Sequence, residues 1–147
     1  MIVFLDIDGV LHPDPSIAEE AFCQRHLLWS ILSARPNVQI VISSDWRFHH
    51  SQAELAEFIL RDGDPSLKPR FISMTPVLPG AKHEYEGRQQ ECLLWLNSNH
   101  ASDRPWLAID DVAGNFTYGS PHLILVDHRT GLTLPDVERV LSRVPIN

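Results

Sequence analysis

Asp6 and Asp8 stand two residues apart where a short apolar run, Ile2-Val3-Phe4-Leu5 and then Ile7, gives out, and Gly9 follows at once. Side chains two apart on an extended chain point the same way, so the two carboxylates are expected to project together from a strand's end. Gly9 lets the backbone turn sharply with no Cβ in the way. Two more strand-like runs end in polar groups: Val38–Ile42 leads into Ser43 and Ser44, and Trp106–Ile109 leads into Asp110 and Asp111. Four carboxylates gathered on one edge repel each other. Two like charges ~4 Å apart cost about 4 kcal/mol at an effective dielectric of ~20, so a proton or a cation must offset them. Oxygen ligands with no His or Cys among them favour a hard ion, and Mg²⁺ is the expected cofactor.

Mg²⁺ held by a few carboxylates commonly completes its shell with water and a substrate phosphate. Such a phosphate also needs donors and a second positive charge. Ser43 offers a hydroxyl, with Ser44 and Gly9 beside it as further contacts. Arg88, in the first turn of an expected helix, can lean inward over the site; Lys82, in the preceding loop, is the alternative cation. His12 follows the acidic motif and Trp46-Arg47 follow Ser43, which places all three as candidate substrate contacts. Zinc is not expected, because adjacent His49-His50 cannot both face one ion easily and no His-x3-His helix pair exists.

The elements that must position these residues can be read from pattern. Strands are expected at Ile2–Ile7, Val38–Ile42, Phe71–Met74, Trp106–Ile109 and His122–Val126. Helices are expected from Ser16 to about Ala34, from Ser51 to before Gly63, from Glu86 to Asn97 and from Leu134 to Val144. Ser16/Glu19 and Ser51/Glu54 read as capping boxes. Phe22, Trp29, Trp95 and Trp106 read as core aromatics, and Gln89, Cys92, Leu93 and Leu96 as one helix face. Alternation of strand and helix implies an α/β fold, a doubly wound Rossmann-like parallel sheet with helices on both faces. Ligands of such sheets bind at the carboxyl ends of the strands, where the polar groups collect.

The chain has 147 residues, 44% hydrophobic and 21% charged, which suits a globular domain over residues 1–147 with a core burying about 70% of its unfolded surface. Twelve basic and nineteen acidic residues leave a net charge of -7, against a dedicated non-specific nucleic-acid or anionic-membrane binder. Cys23 and Cys92 lack metal-ligand spacing and read as buried free thiols, as in a reducing cytosol. With no basic leader and no apolar run of ~20 residues, the expectation is a cytoplasmic protein with no membrane partner, a monomer or a homodimer.

The three strand-end motifs, in this order, resemble the haloacid dehalogenase (HAD) superfamily of phosphotransferases. Asp6 to Leu11 matches its first motif, Val38 to Ser43 its second, Leu107 to Asp111 its fourth, and Arg88 or Lys82 fits its third. Ser43-Ser44-Asp45-Trp46-Arg47 and Gly131-Leu132-Thr133 are similar to the smaller group of HAD domains associated with RNA-repair proteins. The resemblance implies a nucleophile at Asp6 that forms an aspartyl-phosphate, and an acid and then base at Asp8. It implies Mg²⁺ on Asp6, the Asp8 carbonyl and Asp110, with Asp111 direct or through water, and Ser43 and Arg88 on the phosphoryl oxygens. Because ATPase-type members and dehalogenases lack an acid at Asp8, hydrolysis of a phosphomonoester is the expected activity. The alternatives are transfer to a small acceptor and a non-catalytic phospho-acceptor or binding module. Neither interval between motifs leaves the ~50 or more residues of an independent cap domain. An open site is therefore expected, its rim at His12–Pro15 and Trp46–His50. It would admit a phosphorylated substrate as large as a nucleotide, nucleic-acid end or phosphoprotein.

Overall fold

The computed structural model describes residues 1–80 and 84–146. Strands β1 (Ile2–Leu5), β2 (Gln39–Ile42), β3 (Phe71–Met74), β4 (Trp106–Asp110) and β5 (Leu123–Leu125) form one sheet in the order β3-β2-β1-β4-β5. All four pairings are parallel, giving the α/β, Rossmann-like architecture. A strand buried on both faces needs apolar residues at every position, which is why β1 reads as an unbroken run. Val3 and Leu5 meet helices α1 (Arg25–Ala34), α2 (Gln52–Leu60) and α4 (Leu134–Arg143) in one core. Ile2 and Phe4 face the other way, onto Cys92, Trp95 and Leu96 of helix α3 (Gly87–Ser98). Trp95 and Trp106 both set their rings edge-on to Phe4, as core aromatics.

Register fixes what leaves the sheet together. Leu5 lies opposite both Ile42 and Ile109, so Asp6, Ser43 and Asp110 emerge at one level. The Asp6 N–H donates to the Ile109 carbonyl at 3.0 Å and the Ser43 N–H to the Leu5 carbonyl at 2.8 Å, which extends that registration past the strands. The outer edge of β5 is closed by side chains. Arg143 donates to the Leu123 carbonyl and Arg139 to the Leu125 carbonyl, leaving little edge for another strand.

Several expected boundaries shift. The helix expected from Ser16 begins only at Arg25; before it lie a single 3-10 turn, Ala18–Glu20, and Phe22 in the left-handed region (φ 58°). The Phe22 N–H donates to His12 Nδ1 and the Gln24 N–H to the Leu11 carbonyl, so this backbone serves the acidic loop instead of a helix. Phe22 is still buried, but Cys23 is exposed, contrary to the expected buried thiol. On α3 the buried face carries Glu91, Cys92, Trp95 and Leu96, while Leu93 points to solvent. The α2 capping box forms as expected: Ser51 Oγ accepts from the Glu54 N–H, and Glu54 accepts from the Ser51 N–H. Ile7 lies outside β1 although buried. Between Asp6 and β2, and between Ser43 and α3, the described residues contain no second sheet. No described helix is long and apolar enough to cross a membrane.

Candidate active site

Carboxylate oxygens of Asp6, Asp110 and Asp111 all lie within 4.8 Å of one another at the carboxyl edge of the sheet. Asp6 is 8% exposed and Asp110 1%. Each is oriented by a backbone donor, Asp6 Oδ1 by the Ile7 N–H at 2.7 Å and Asp110 Oδ1 by the Val112 N–H at 2.8 Å. Burial, then the neighbouring Asp110, holds the Asp6 carboxyl well above the usual carboxylate range. Burial pushes Asp110 up to about 6, against the pull of the Val112 N–H and Arg88. Asp111 is raised by burial as well. Such a cluster stores repulsion that a cation would relieve. Gly9 makes room for it: its φ is +71°, and a Cβ there would sit 2.2 Å from Asp111 Oδ2.

Asp8, half-exposed, is placed by two ring donors on a single oxygen. His12 Nε2 lies 2.9 Å from Asp8 Oδ1, and Trp46 Nε1 donates to the same atom at 2.9 Å. Because the Phe22 N–H occupies His12 Nδ1, the ring's proton is on Nε2 and His12 is the donor to Asp8. The His12 bond, then that of Trp46, lowers the Asp8 carboxyl from its ordinary range in spite of partial burial. Among the described residues nothing bonds to Oδ2. His12 and Trp46, expected as substrate contacts, both reach Asp8, and Trp46 also lines the recess beside it. His12 is buried, and the Trp46 ring is stacked on His50 with Phe22 edge-on to it.

The cations converge from two segments. Arg88, at the start of α3, donates to Asp45 Oδ1 and Glu91 Oε2, both at 3.1 Å. Burial alone would lower its basicity, but Asp6, Asp110 and Glu91 raise it on balance. Arg47 donates to the Ser44 carbonyl at 2.9 Å and to Glu91 Oε2 at 2.7 Å. Ser43 is buried beneath the cleft with its hydroxyl 3.8 Å from Cys92 Sγ, and burial pushes that thiol up to about 12. Ser44, also buried, accepts from the Trp46 N–H, and its hydroxyl lowers the Asp6 carboxyl slightly against the larger effect of burial.

A cleft of about 450 Å³ joins Asp6, Asp8, Asp111, Arg47 and Arg88. A neighbouring recess of about 360 Å³ shares Asp8, Asp45 and Phe48 with it and runs out past Trp46 to His50. Sequence pattern thus names most of the carboxylates and cations that meet here; Lys82 lies outside the described residues. It misses Glu91, which bridges the two arginines, Asn115, which lines the cleft, and the Val77–Gly80 wall. The rim at Asp14 and Phe48 falls inside the expected segments. Glu91 carries one available signal, a charge at a buried helical position between Arg88 and Trp95.

Residues 2–137 match the family described as the HAD domain in Swiss Army Knife RNA repair proteins. The chain belongs to this family. Over 67 residues, 42% of the chain, it is 33% identical to a protein named Beta-galactosidase from Alteromonas mediterranea. That stretch is 6% of the relative's length, so the chain spans only a small part of it. No solved structure matches.

Proposed function

We propose that this HAD-domain chain is a Mg²⁺-dependent phosphomonoester hydrolase acting through an aspartyl-phosphate. The observation that carries the reading is that Asp6 and Asp111, clustered with the buried Asp110, share one cleft with Arg88 and the separately oriented Asp8. Three carboxylates with no nitrogen or sulfur ligand, raised by burial and mutual repulsion, fit a hard divalent cation. Asp6, Asp110 and Asp111, with the carbonyl of Asp8, would hold it. Bound there, Mg²⁺ supplies positive charge against the cluster and against the oxygens of the phosphoryl group.

In the first half, an Asp6 carboxylate oxygen bonds to phosphorus as the ester P–O bond breaks, and Asp8 delivers a proton to the departing alcohol. In the second, water attacks the same phosphorus and gives its proton to Asp8, and the bond to Asp6 breaks to release phosphate. The donors on Asp8 Oδ1 favour its carboxylate and suit the second half; an arriving phosphate dianion opposes them and favours the protonated form for the first. Arg88 stabilises charge on the transferring oxygens, the dominant need in phosphoryl transfer.

The recess beyond Asp8 offers room for the leaving group. That openness, and the family's association with RNA repair, support a nucleotide or nucleic-acid end as substrate, with a phosphoprotein as the other bulky class. On this reading the HAD domain works without a cap, as a monomer or a homodimer. The deciding experiment compares kcat/KM for a phosphorylated oligonucleotide, its mononucleotide and glucose 6-phosphate, with Mg²⁺. Phosphate release from none of them, nor from a phosphopeptide, refutes the hydrolase, and preference for the sugar phosphate refutes the open-site argument.

A further inference from the structure

We propose that Glu91 is a positioning residue that yokes Arg47 and Arg88 into a two-guanidinium clamp selective for a dianionic phosphoryl group. The proposal rests on the phosphatase reading of the same cleft and assigns its preference for monoesters over diesters to named residues.

Three separate segments meet on this one carboxylate, itself 4% exposed. Oε2 accepts from Arg47 Nη2 at 2.7 Å and from Arg88 Nη1 at 3.1 Å, while Oε1 accepts from the Leu78 N–H at 3.0 Å. Each guanidinium is pinned at a second point, Arg47 by the Ser44 carbonyl and Arg88 by Asp45. A planar group held at two points keeps its plane and its aim, so its remaining donors are set before a ligand arrives. Arg47 Nε is buried and has no hydrogen-bond partner among the described residues, so the guanidinium is not fully satisfied by the protein around it. Two guanidinium charges this close would repel each other strongly in so dry a place. A carboxylate between them lets both point at one cleft, and both line the cleft that holds Asp6.

Two fixed cations discriminate by charge. A phosphomonoester carries nearly two negative charges near neutral pH and a diester one, so the monoester gains more from the clamp. Loop residue Leu78 is tied to the same carboxylate, which places the Val77–Gly80 wall and the clamp in one unit.

The test turns on a sign. Glu91→Gln keeps the size and an oxygen for the Leu78 N–H, but turns an amide NH2 toward the guanidiniums. It also makes the cleft more positive by one charge. A mere counter-charge would, when removed, let inorganic phosphate bind more tightly. The clamp predicts the opposite: a phosphate dissociation constant weakened about 10- to 100-fold in calorimetry with Mg²⁺, the loss expected for donors misplaced by about an ångström. KM for p-nitrophenyl phosphate should rise, and the preference for it over bis(p-nitrophenyl) phosphate should shrink. Glu91→Asp, which keeps the charge, should recover part of both. Should Glu91→Gln fold poorly, Arg47→Met/Glu91→Gln restores the wild-type charge balance. It should recover the melting temperature without recovering phosphate affinity. Unchanged or tighter phosphate binding in Glu91→Gln, or in the double variant, overturns the clamp. Wild-type protein that binds phosphate yet hydrolyses no monoester overturns the phosphatase reading alone, and wild type that binds no phosphate overturns both.

Discussion

Replacing Asp110 by Asn should make the metal-free protein more stable, and by an amount that depends on pH. Asp110 is almost fully buried and its carboxyl titrates at about 6 against an ordinary 3.8. A displacement by one pH unit corresponds to ~1.36 kcal/mol, so the folded state bears a penalty of about 3 kcal/mol once the group is ionised in both states. The sign follows from which state binds the proton more tightly. Here the folded state does, so no penalty exists below the unfolded value, and it grows as pH rises until it is complete above about 6. Asparagine imitates the protonated carboxyl and keeps an oxygen for the Val112 N–H. For a chain of this length ~1 kcal/mol moves the midpoint by roughly 2–4 °C. Asp110→Asn in chelator should therefore melt about 6–12 °C above wild type at pH 7.5, and gain about half as much at pH 5. Thermal melts across that range, with EDTA and then with Mg²⁺, decide the matter. With Mg²⁺ the order should narrow or invert, because the variant has lost a ligand. A variant less stable than wild type in EDTA at pH 7.5, or a gain that ignores pH, would refute the reasoning.

Asp6→Asn should lower phosphate release by about 10³-fold or more while leaving a cooperative melt, since the amide keeps the shape but cannot attack phosphorus; substantial residual turnover of an aryl phosphate would remove Asp6 from the nucleophile's place. Mg²⁺ should raise the wild-type melting temperature and restore activity lost to chelator, and full activity in EDTA, or with Zn²⁺ alone, would contradict the oxygen-ligand site. Trp46→Phe deletes one of the two donors on Asp8 Oδ1, so the Asp8 carboxyl should rise and the acid limb of the kcat profile should move to higher pH; an unmoved limb would show that Trp46 only fills space. Gly9→Ala should cost at least ~1 kcal/mol and weaken metal binding, because the new methyl falls on the Asp111 carboxylate in a left-handed backbone; calorimetric Mg²⁺ affinity is the check.

The parts of this site that follow from local pattern are legible in the sequence, and those that follow from pairing across the chain are not. An apolar run closed by Asp6-x-Asp8-Gly9 announces itself, as do Ser43 after β2 and Asp110-Asp111 after β4, because burial on both faces forces strands into continuous apolar text. The Ser51/Glu54 box is equally legible, because its bonds lie within four residues. The helix expected at Ser16 fails for the complementary reason. Its stripe of Ile17, Ala21, Leu28 and Leu32 has helical spacing, yet two backbone donors at Phe22 and Gln24 are taken by His12 and Leu11. By type alone His12 and Trp46 suit a substrate contact; only the fold shows that both reach back to Asp8. Glu91 and Arg47 stand more than forty residues apart in sequence, beyond any periodicity.

Stability and function pull on this edge of the sheet in opposite directions, and the surrounding loops show how the conflict is contained. The carboxylates are destabilising where they stand, so they hold their places only if the backbone beneath them is over-determined. The loop after Asp8 has ties from both sides. Its Val10 carbonyl accepts from the Leu132 N–H at 2.7 Å, its Asp14 N–H donates to the His128 carbonyl at 2.8 Å, and its His12 ring accepts from Phe22. Gly131 is needed for the first tie, since a Cβ there would approach the Val10 carbonyl to 2.9 Å with φ at +68°. The late Gly131-Leu132-Thr133 segment therefore has a physical role. It ties the acidic loop to the α4 cap, where Asp136 accepts from the Thr133 N–H and hydroxyl. The cleft is thus bounded by a loop braced from residues ten and more than one hundred positions away, and by a wall tied to Glu91. Repulsion among the carboxylates is borne by that bracing, and a cation held between them would relieve it, so the bracing and the acidic cluster cannot be altered independently.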